Sequence, residues 1–305
     1  MTTMYKVNVS VPAVCTNVGP GYDVIGLALN LRNVVEMSLS GDDQLAVEII
    51  GQGEGVLPQN YYNPVMRAAI RLFQELETAP VGLNVRCRNE IPLDVGLSAR
   101  VSMIVGGLVG ANSLLGNPLA RESLIELASE LSGQPEAVVT AMRGGMGLCA
   151  AGAGDLLYRS IEITPLRVVV ALPDLPDYSP RLRADLPAQV SLADAVANLG
   201  HSTLLVEALR SGDFELLART LDDRLVEPHR RPHIPGYDDV VSAAKNAGAL
   251  GVVLCGAGPA LMAFALYNHS LVELALREAF AAQDISAQTW SISADTQGVV
   301  ISVVQ

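Results

Sequence analysis

The chain has 305 residues, half of them hydrophobic and 17% charged, which is enough for two packed cores because single cores stop growing at about 250–300 residues. Its formal net charge of -12 argues against a nucleic acid or an anionic membrane as partner, since both are met by basic faces, and suits a cytoplasmic protein. Cys15, Cys87, Cys149 and Cys255 lie far apart with no CxxC pair, so they read as buried thiols of a reducing compartment rather than a zinc site or disulfide framework.

The first residues, MTTMYKVNVSVPAVC, alternate like a strand and lack the basic-then-apolar pattern of a signal peptide. No apolar run approaches the roughly 18 residues of a membrane span. Strand patterning covers Met4–Val11, Val34–Leu39, Leu45–Ile50 and Leu83–Arg88. Pro64–Leu76 has helical spacing, with Val65, Ala68, Ala69, Leu72 and Phe73 on one face. Arg100–Leu115 is small and apolar all round, the mark of a helix buried on most sides. Leu119–Leu131 and Pro135–Arg143 predict two further helices.

Near Ile163 the pattern changes. A strand at Leu166–Leu172 leads into a Pro-rich segment, followed by helices over Ser191–Ser211 and Phe214–Leu225. After Pro235 a helix, a strand at Leu250–Cys255, another strand, a helix and two terminal strands alternate. The chain thus reads as α+β, with one domain over 1–163 and a second over 164–305.

Three places carry polar residues in a setting that suggests a site. In VCTNVGPGYD, Gly19, Pro20 and Gly21 form a tight turn flanked by Asn17 and Asp23. From the residues alone this is either a capped turn or a place where an amide and a carboxylate meet a small ligand. Arg183 and Arg230 lie in two Pro-punctuated segments; each alone is either a solvated residue or half of a bidentate carboxylate clamp. The third place is Gly96–Arg100, which directly precedes the apolar helix and so stands at a helix N-terminus, where unpaired N–H groups attract anions. His201 and His229 have no evident partner and read as structural or exposed.

These segments carry a resemblance over nearly the whole chain. VPAVCTNVGPGYDVIGLAL is similar to VPATSANLGPGFDxLGLAL, and SPRLRADLPAQVSLADAVANL and LDDRLVEPHRRPHIPG are similar to TxxARxxLPxxVSLxDAVxN and LxDxLHxPYRxxLIPG. All three are motifs of the homoserine kinases in the GHMP superfamily of small-molecule kinases. The resemblance implies an N-terminal domain like ribosomal protein S5 domain 2, a ferredoxin-like C-terminal domain and a site between them. It also implies an amino acid substrate held by Asn17, Asp23, Arg183 and Arg230, with Ser179 near the reacting hydroxyl. ATP and Mg²⁺ are the implied cofactors and a homodimer the default assembly.

The nucleotide motifs depart from the family. PxxxGLGSSA appears here as Pro92-Leu-Asp-Val-Gly96-Leu97-Ser98-Ala99-Arg100. Ser98 stands for a Gly, putting a side chain where positive φ is expected, and Ala99 and Arg100 stand for the two Ser. EGHPDN appears as Ser132-Gly-Gln134-Pro-Glu136-Ala137, so the metal-binding Glu is Ser132 and the His-Pro-Asp-Asn run is altered. Mg²⁺ takes oxygen ligands that usually include a carboxylate. Gly256 and Gly258, in a CGAGP loop, and Asn63, in NPVMRAA, keep the rest of the family's nucleotide pocket. Three readings follow. One is a kinase that phosphorylates the homoserine hydroxyl in threonine biosynthesis, with Arg100 supplying charge. The second is a pseudokinase that binds an amino acid without phosphoryl transfer, and the third is a protein for another anionic ligand.

Overall fold

A computed structural model describes residues 6–151, 156–176, 178 and 186–304. The first half is built on a mixed sheet. β1 (Lys6–Thr16) and β2 (Ile25–Ser40) form an antiparallel hairpin with a register shift between Pro12 and Ala13. β4 (Gly82–Asn89) runs antiparallel to β2, and β3 (Leu45–Gly51) runs parallel to β4. β5 (Met146–Ala151) and β6 (Leu156–Ile161) extend the start of β2. The last strand, β11 (Val300–Val304), returns to pair with Lys6–Ser10 of β1, so the final residues complete the sheet of the first half.

β1 shows why sequence patterning placed its end too early. From Lys6 to Val11 every second residue is buried, and from Val11 to Thr16 all are, because both faces of that stretch are covered. Alternation therefore stops while the strand continues. The same double coverage hides the start of β2 at Ile25, where five consecutive residues are buried.

Four helices cover one face: α1 (Pro64–Glu75), α2 (Ala99–Leu114), α3 (Arg121–Ser132) and α4 (Pro135–Arg143). α2 is the central one. Every residue of it except Arg100 is buried. Its glycines let it lie close to its neighbours: a Cβ on Gly107 would stand 2.4 Å from the carbonyl oxygen of Val65, and one on Gly110 2.7 Å from the Met37 sulfur.

The second half is a four-stranded antiparallel sheet in the order β10 (Ala287–Ser293), β7 (Arg167–Pro173), β9 (Leu261–Phe264), β8 (Gly251–Leu254). Between β7 and β8 come α5 (Leu192–Ser211), α6 (Phe214–Thr220), α7 (Glu227–Arg230) and α8 (Tyr237–Asn246); α9 (His269–Ala281) joins β9 to β10. Chain order and strand order together are the ferredoxin-like pattern. The helix expected over Phe214–Leu225 ends at Thr220, because Asp223 turns its carboxylate inward to the next helix instead of continuing this one. No helix among the described residues is long and apolar enough to cross a membrane.

One apolar cluster joins the halves. It packs Cys15, Ile25, Leu27 and Leu97 from the first with Val168, Leu205, Met262 and Cys255 from the second. The two loops that matter below, after β1 and after β8, emerge from this shared core.

Candidate functional site

β1 ends in a turn that two left-handed residues shape, Asn17 at φ 59° and Asp23 at φ 52°. Short polar side chains tolerate that region because they bond locally. The Asn17 side chain does so: its carbonyl oxygen accepts the Asp23 N–H at 2.8 Å, and its amide donates to the Gly256 carbonyl at 3.0 Å. The turn on β1 is thus fastened to the glycine loop that follows β8.

That loop is held from three sides. Gly256 donates its N–H to the Thr16 carbonyl at 2.8 Å, Tyr178 donates its hydroxyl to the Ala257 carbonyl, and Arg230 donates Nη1 to the Gly256 carbonyl. The Gly258–Pro259 bond is cis. Gly96 packs against the same loop so closely that a Cβ on it would stand 2.0 Å from the Cys255 carbonyl oxygen. With φ at +88°, position 96 accepts only glycine.

Ser98 follows as the N-cap of α2, with φ 56° and ψ 35°. The side chain here does not exclude positive φ, as the sequence led us to expect; Ser98 adopts it. Its hydroxyl makes no capping bond, and the first turn holds no acidic residue. The first-turn N–H groups of α2 therefore face the cleft without the usual side-chain acceptor. A buried network holds this end of α2 in place. Asn33 donates to Ser102 Oγ at 2.8 Å, Ser102 Oγ donates to the Ala99 carbonyl at 2.7 Å, and the Asn33 carbonyl accepts Glu90 and Ile91 N–H groups.

Arg230 is 2% exposed. Its guanidinium lies 5.3 Å from the Tyr22 ring centroid, a cation–π contact, and its Nε has no hydrogen-bond partner. Burial depresses its pKa, and the nearby Tyr22, Tyr178 and Asp23 work against that. Asp223 builds the helix turn that presents it: the carboxylate accepts N–H groups of Leu225, Val226 and Glu227 and the Asn198 amide. On the same short helix, burial pushes the Glu227 carboxyl up to about 7.

These pieces meet in a cleft of about 280 Å³. Asn17, Asp23 and Arg230 line it together with Gly96, Ser98, Ala99, Arg100, Gly256 and Gly258. Asp94, Ser132, Gln134 and Glu136 also line it. Two expected residues are not among those lining it. Leu97 is buried and gives its carbonyl to Val14 N–H. Asn63 is the N-cap of α1, its amide engaged by Val65 N–H and the Pro58 carbonyl. Its chain neighbours Tyr62 and Pro64 line a second cavity of about 170 Å³ with Leu57, Pro58, Arg67, Arg100 and others, but Asn63 does not. Arg183 and Ser179 lie outside the described residues.

Sequence reasoning missed Asn33, Ser102 and Tyr178, which lie in none of the quoted motifs, and passed over Tyr22, which stands inside the GPGYD turn. Asp223 had a signal: an acidic residue four positions before Glu227-Pro228, where a helix opens.

A polyphosphate suits the bare first turn of α2. A divalent cation in this cleft would look to a carboxylate. The Ser132 hydroxyl accepts the Gln134 N–H at 3.2 Å and brings no charge. Glu136, 2% exposed, is the buried carboxylate that lines this side of the cleft.

Comparison with known proteins agrees with this architecture. The chain matches the GHMP kinases N terminal domain over residues 63–153 and the GHMP kinases C terminal domain over residues 205–282. It is 36% identical to the homoserine kinase of Moorella thermoacetica over 294 residues, covering 96% of this chain and 99% of that protein. It is 37% identical to the homoserine kinase of Trichormus variabilis over 98% of this chain and 99% of that one. The crystal structure of homoserine kinase from Cytophaga hutchinsonii superposes with a TM-score of 0.88 at 28% identity, covering 97% of both chains.

Proposed function

The chain belongs to the homoserine kinase family of GHMP kinases, and from that premise we propose that it transfers the γ-phosphoryl group of ATP to the side-chain hydroxyl of homoserine. One observation carries the reading: a single cleft gathers Asn17, Asp23 and Arg230 with the uncapped first turn of α2. Phosphoryl transfer needs little covalent help from protein; it needs the donor and acceptor oxygens aligned and the charge offset.

In this reading Asp23 pairs with the substrate ammonium and Arg230 with its carboxylate. Arg183 is the second carboxylate ligand, and Ser179 borders the reacting hydroxyl. The Arg230 guanidinium reaches the cleft already fixed by Gly256 and Tyr22, so binding sacrifices little side-chain freedom. Asn17 acts through its bonds to Asp23 and Gly256, holding the amino acid turn against the glycine loop. The first-turn N–H groups of Ala99, Arg100 and Val101 take the phosphates. Mg²⁺, when bound, offsets charge on the phosphate oxygens, and Glu136 would hold it.

The cytoplasm, where ATP and free amino acids are supplied, is the proposed setting. A homodimer, to be read by light scattering, is the proposed assembly. The division near residue 163 is the proposed domain boundary, with β11 returning to the sheet of the first half. No finding favours the alternative of a binding protein without transfer. The test is ADP release from purified full-length chain with MgATP, with and without homoserine. The proposal predicts saturable release that requires homoserine. A folded protein that binds homoserine yet releases no ADP above background would refute it.

A further inference from the structure

Arg100 is the single exposed residue of an otherwise buried helix. It occupies the first turn of α2, where a positive side chain has the wrong sign for the helix dipole. No acidic residue in that turn offsets it. Among the described residues its side chain makes no ion pair or hydrogen bond; the same holds for Arg67, Arg121 and Arg159 of this half, while Arg32, Arg71, Arg86, Arg88 and Arg143 have acidic partners, and of the four without one Arg100 alone lines the cleft. An unpaired cation on a positive helix end is unfavourable in the empty protein, and a polyanion at the same place reverses the sign of both terms.

The position is specific in a second way. Arg100 lines both the 280 Å³ cleft and the adjoining 170 Å³ cavity. A ligand with one end in each must pass its guanidinium. The side cavity is walled by Leu57, Pro58, Tyr62, Pro64 and Ile104, with Arg67 as its other charged residue beside Arg100; its apolar and aromatic faces suit a flat ring. The cleft supplies the bare N–H groups.

We propose that Arg100 is a phosphate ligand of the bound nucleotide and supplies in this chain part of the charge neutralisation that a divalent cation would otherwise give. The inference rests on the kinase reading of the cleft. Its guanidinium offers a planar fork to two phosphate oxygens, in a cleft that Ser132 lines with an uncharged hydroxyl. Asp94 and Glu136 share the cleft, so a metal ion still has carboxylates to meet; nucleotide binding simply does not wait on it.

The experiment is calorimetry of ATP binding to the full chain, in excess EDTA and again in excess Mg²⁺, for the wild type, Arg100→Ala and Arg100→Lys. Homoserine binding and thermal unfolding serve as controls for the fold and the amino acid half. The wild type is expected to bind ATP in EDTA nearly as well as in Mg²⁺. Arg100→Ala should weaken binding in EDTA by about tenfold or more, the usual worth of a charge-assisted bond. Arg100→Lys, which keeps charge and loses the fork, should fall between, and homoserine affinity should not change. ATP affinity unchanged in Arg100→Ala would overturn the proposal and leave the kinase reading standing, as would a wild type that binds ATP only with Mg²⁺. A wild type that binds homoserine but no ATP under either condition would overturn the kinase reading itself.

Discussion

The side-chain amide of Asn17 donates to the carbonyl oxygen of Gly256 at 3.0 Å, across 239 residues of sequence. Together with the Gly256 N–H bond to the Thr16 carbonyl, it connects the turn after β1 on the first sheet to the glycine loop on the second. The same Asn17 side chain also accepts the N–H of Asp23, so a single residue sets the position of the carboxylate and of the loop. Asn17→Ala removes both bonds. Unfolding free energy should fall by about 1–3 kcal/mol, and the KM for homoserine should rise more than the KM for ATP. Chemical denaturation together with both KM values checks this; equal effects on the two substrates would argue against the linkage.

Ser98 invites the opposite kind of change. It holds φ at +56° with a Cβ in place, a conformation that costs an L-residue roughly 1–2 kcal/mol. Glycine relieves that strain, less its greater freedom in the unfolded chain. Ser98→Gly should raise the denaturation midpoint modestly and leave ATP binding equal or tighter. Weaker ATP binding would mean that the Ser98 hydroxyl is itself a ligand.

Asp223 makes four bonds around the start of α7, and Arg230 stands at the end of that helix. Asp223→Ala frees three N–H groups and the Asn198 amide. Loss of about 2 kcal/mol or more in stability is expected from those buried unpaired groups, along with a large rise in the KM for homoserine as Arg230 loses its anchor. Circular dichroism melts and steady-state kinetics measure the two effects separately.

Glu227 gives a pH dependence. Burial raises its folded pKa to about 7 from the ordinary glutamate value of 4.5. The folded state then binds a proton more tightly than the unfolded chain does. Its contribution to stability is complete below the unfolded value and is lost as pH rises toward 7. Thermal unfolding of the wild type should therefore show a decline between about pH 5 and pH 7 that Glu227→Gln lacks. Parallel curves for the two proteins would contradict this.

Most of the architecture was legible because periodicity reports one-sided burial. Pro64–Glu75 buries one face and keeps another toward water, and patterning found it. The start of β2 is covered on both sides, so alternation vanished where the structure continued. The β5–β6 hairpin went unread because Met146–Ala151 is glycine- and alanine-rich, with no β-branched signature. The site shows the same divide. Asn17, Asp23, Gly96, Arg100 and Arg230 sit in recognisable motifs and do share a cleft. The Asn33–Ser102 brace joins residues 69 apart in sequence, a relationship only the fold creates. Asn63 is instructive in another way: the motif marked its position, while its amide proved to be occupied in capping α1.

The most direct test of the central claim is ³¹P nuclear magnetic resonance of the full-length protein incubated with ATP, Mg²⁺ and homoserine. The account predicts a new phosphomonoester resonance that grows as the γ-phosphate signal declines, and that fails to form when homoserine is left out. If ATP stays intact, or yields only inorganic phosphate whether or not homoserine is present, phosphoryl transfer to the amino acid is contradicted.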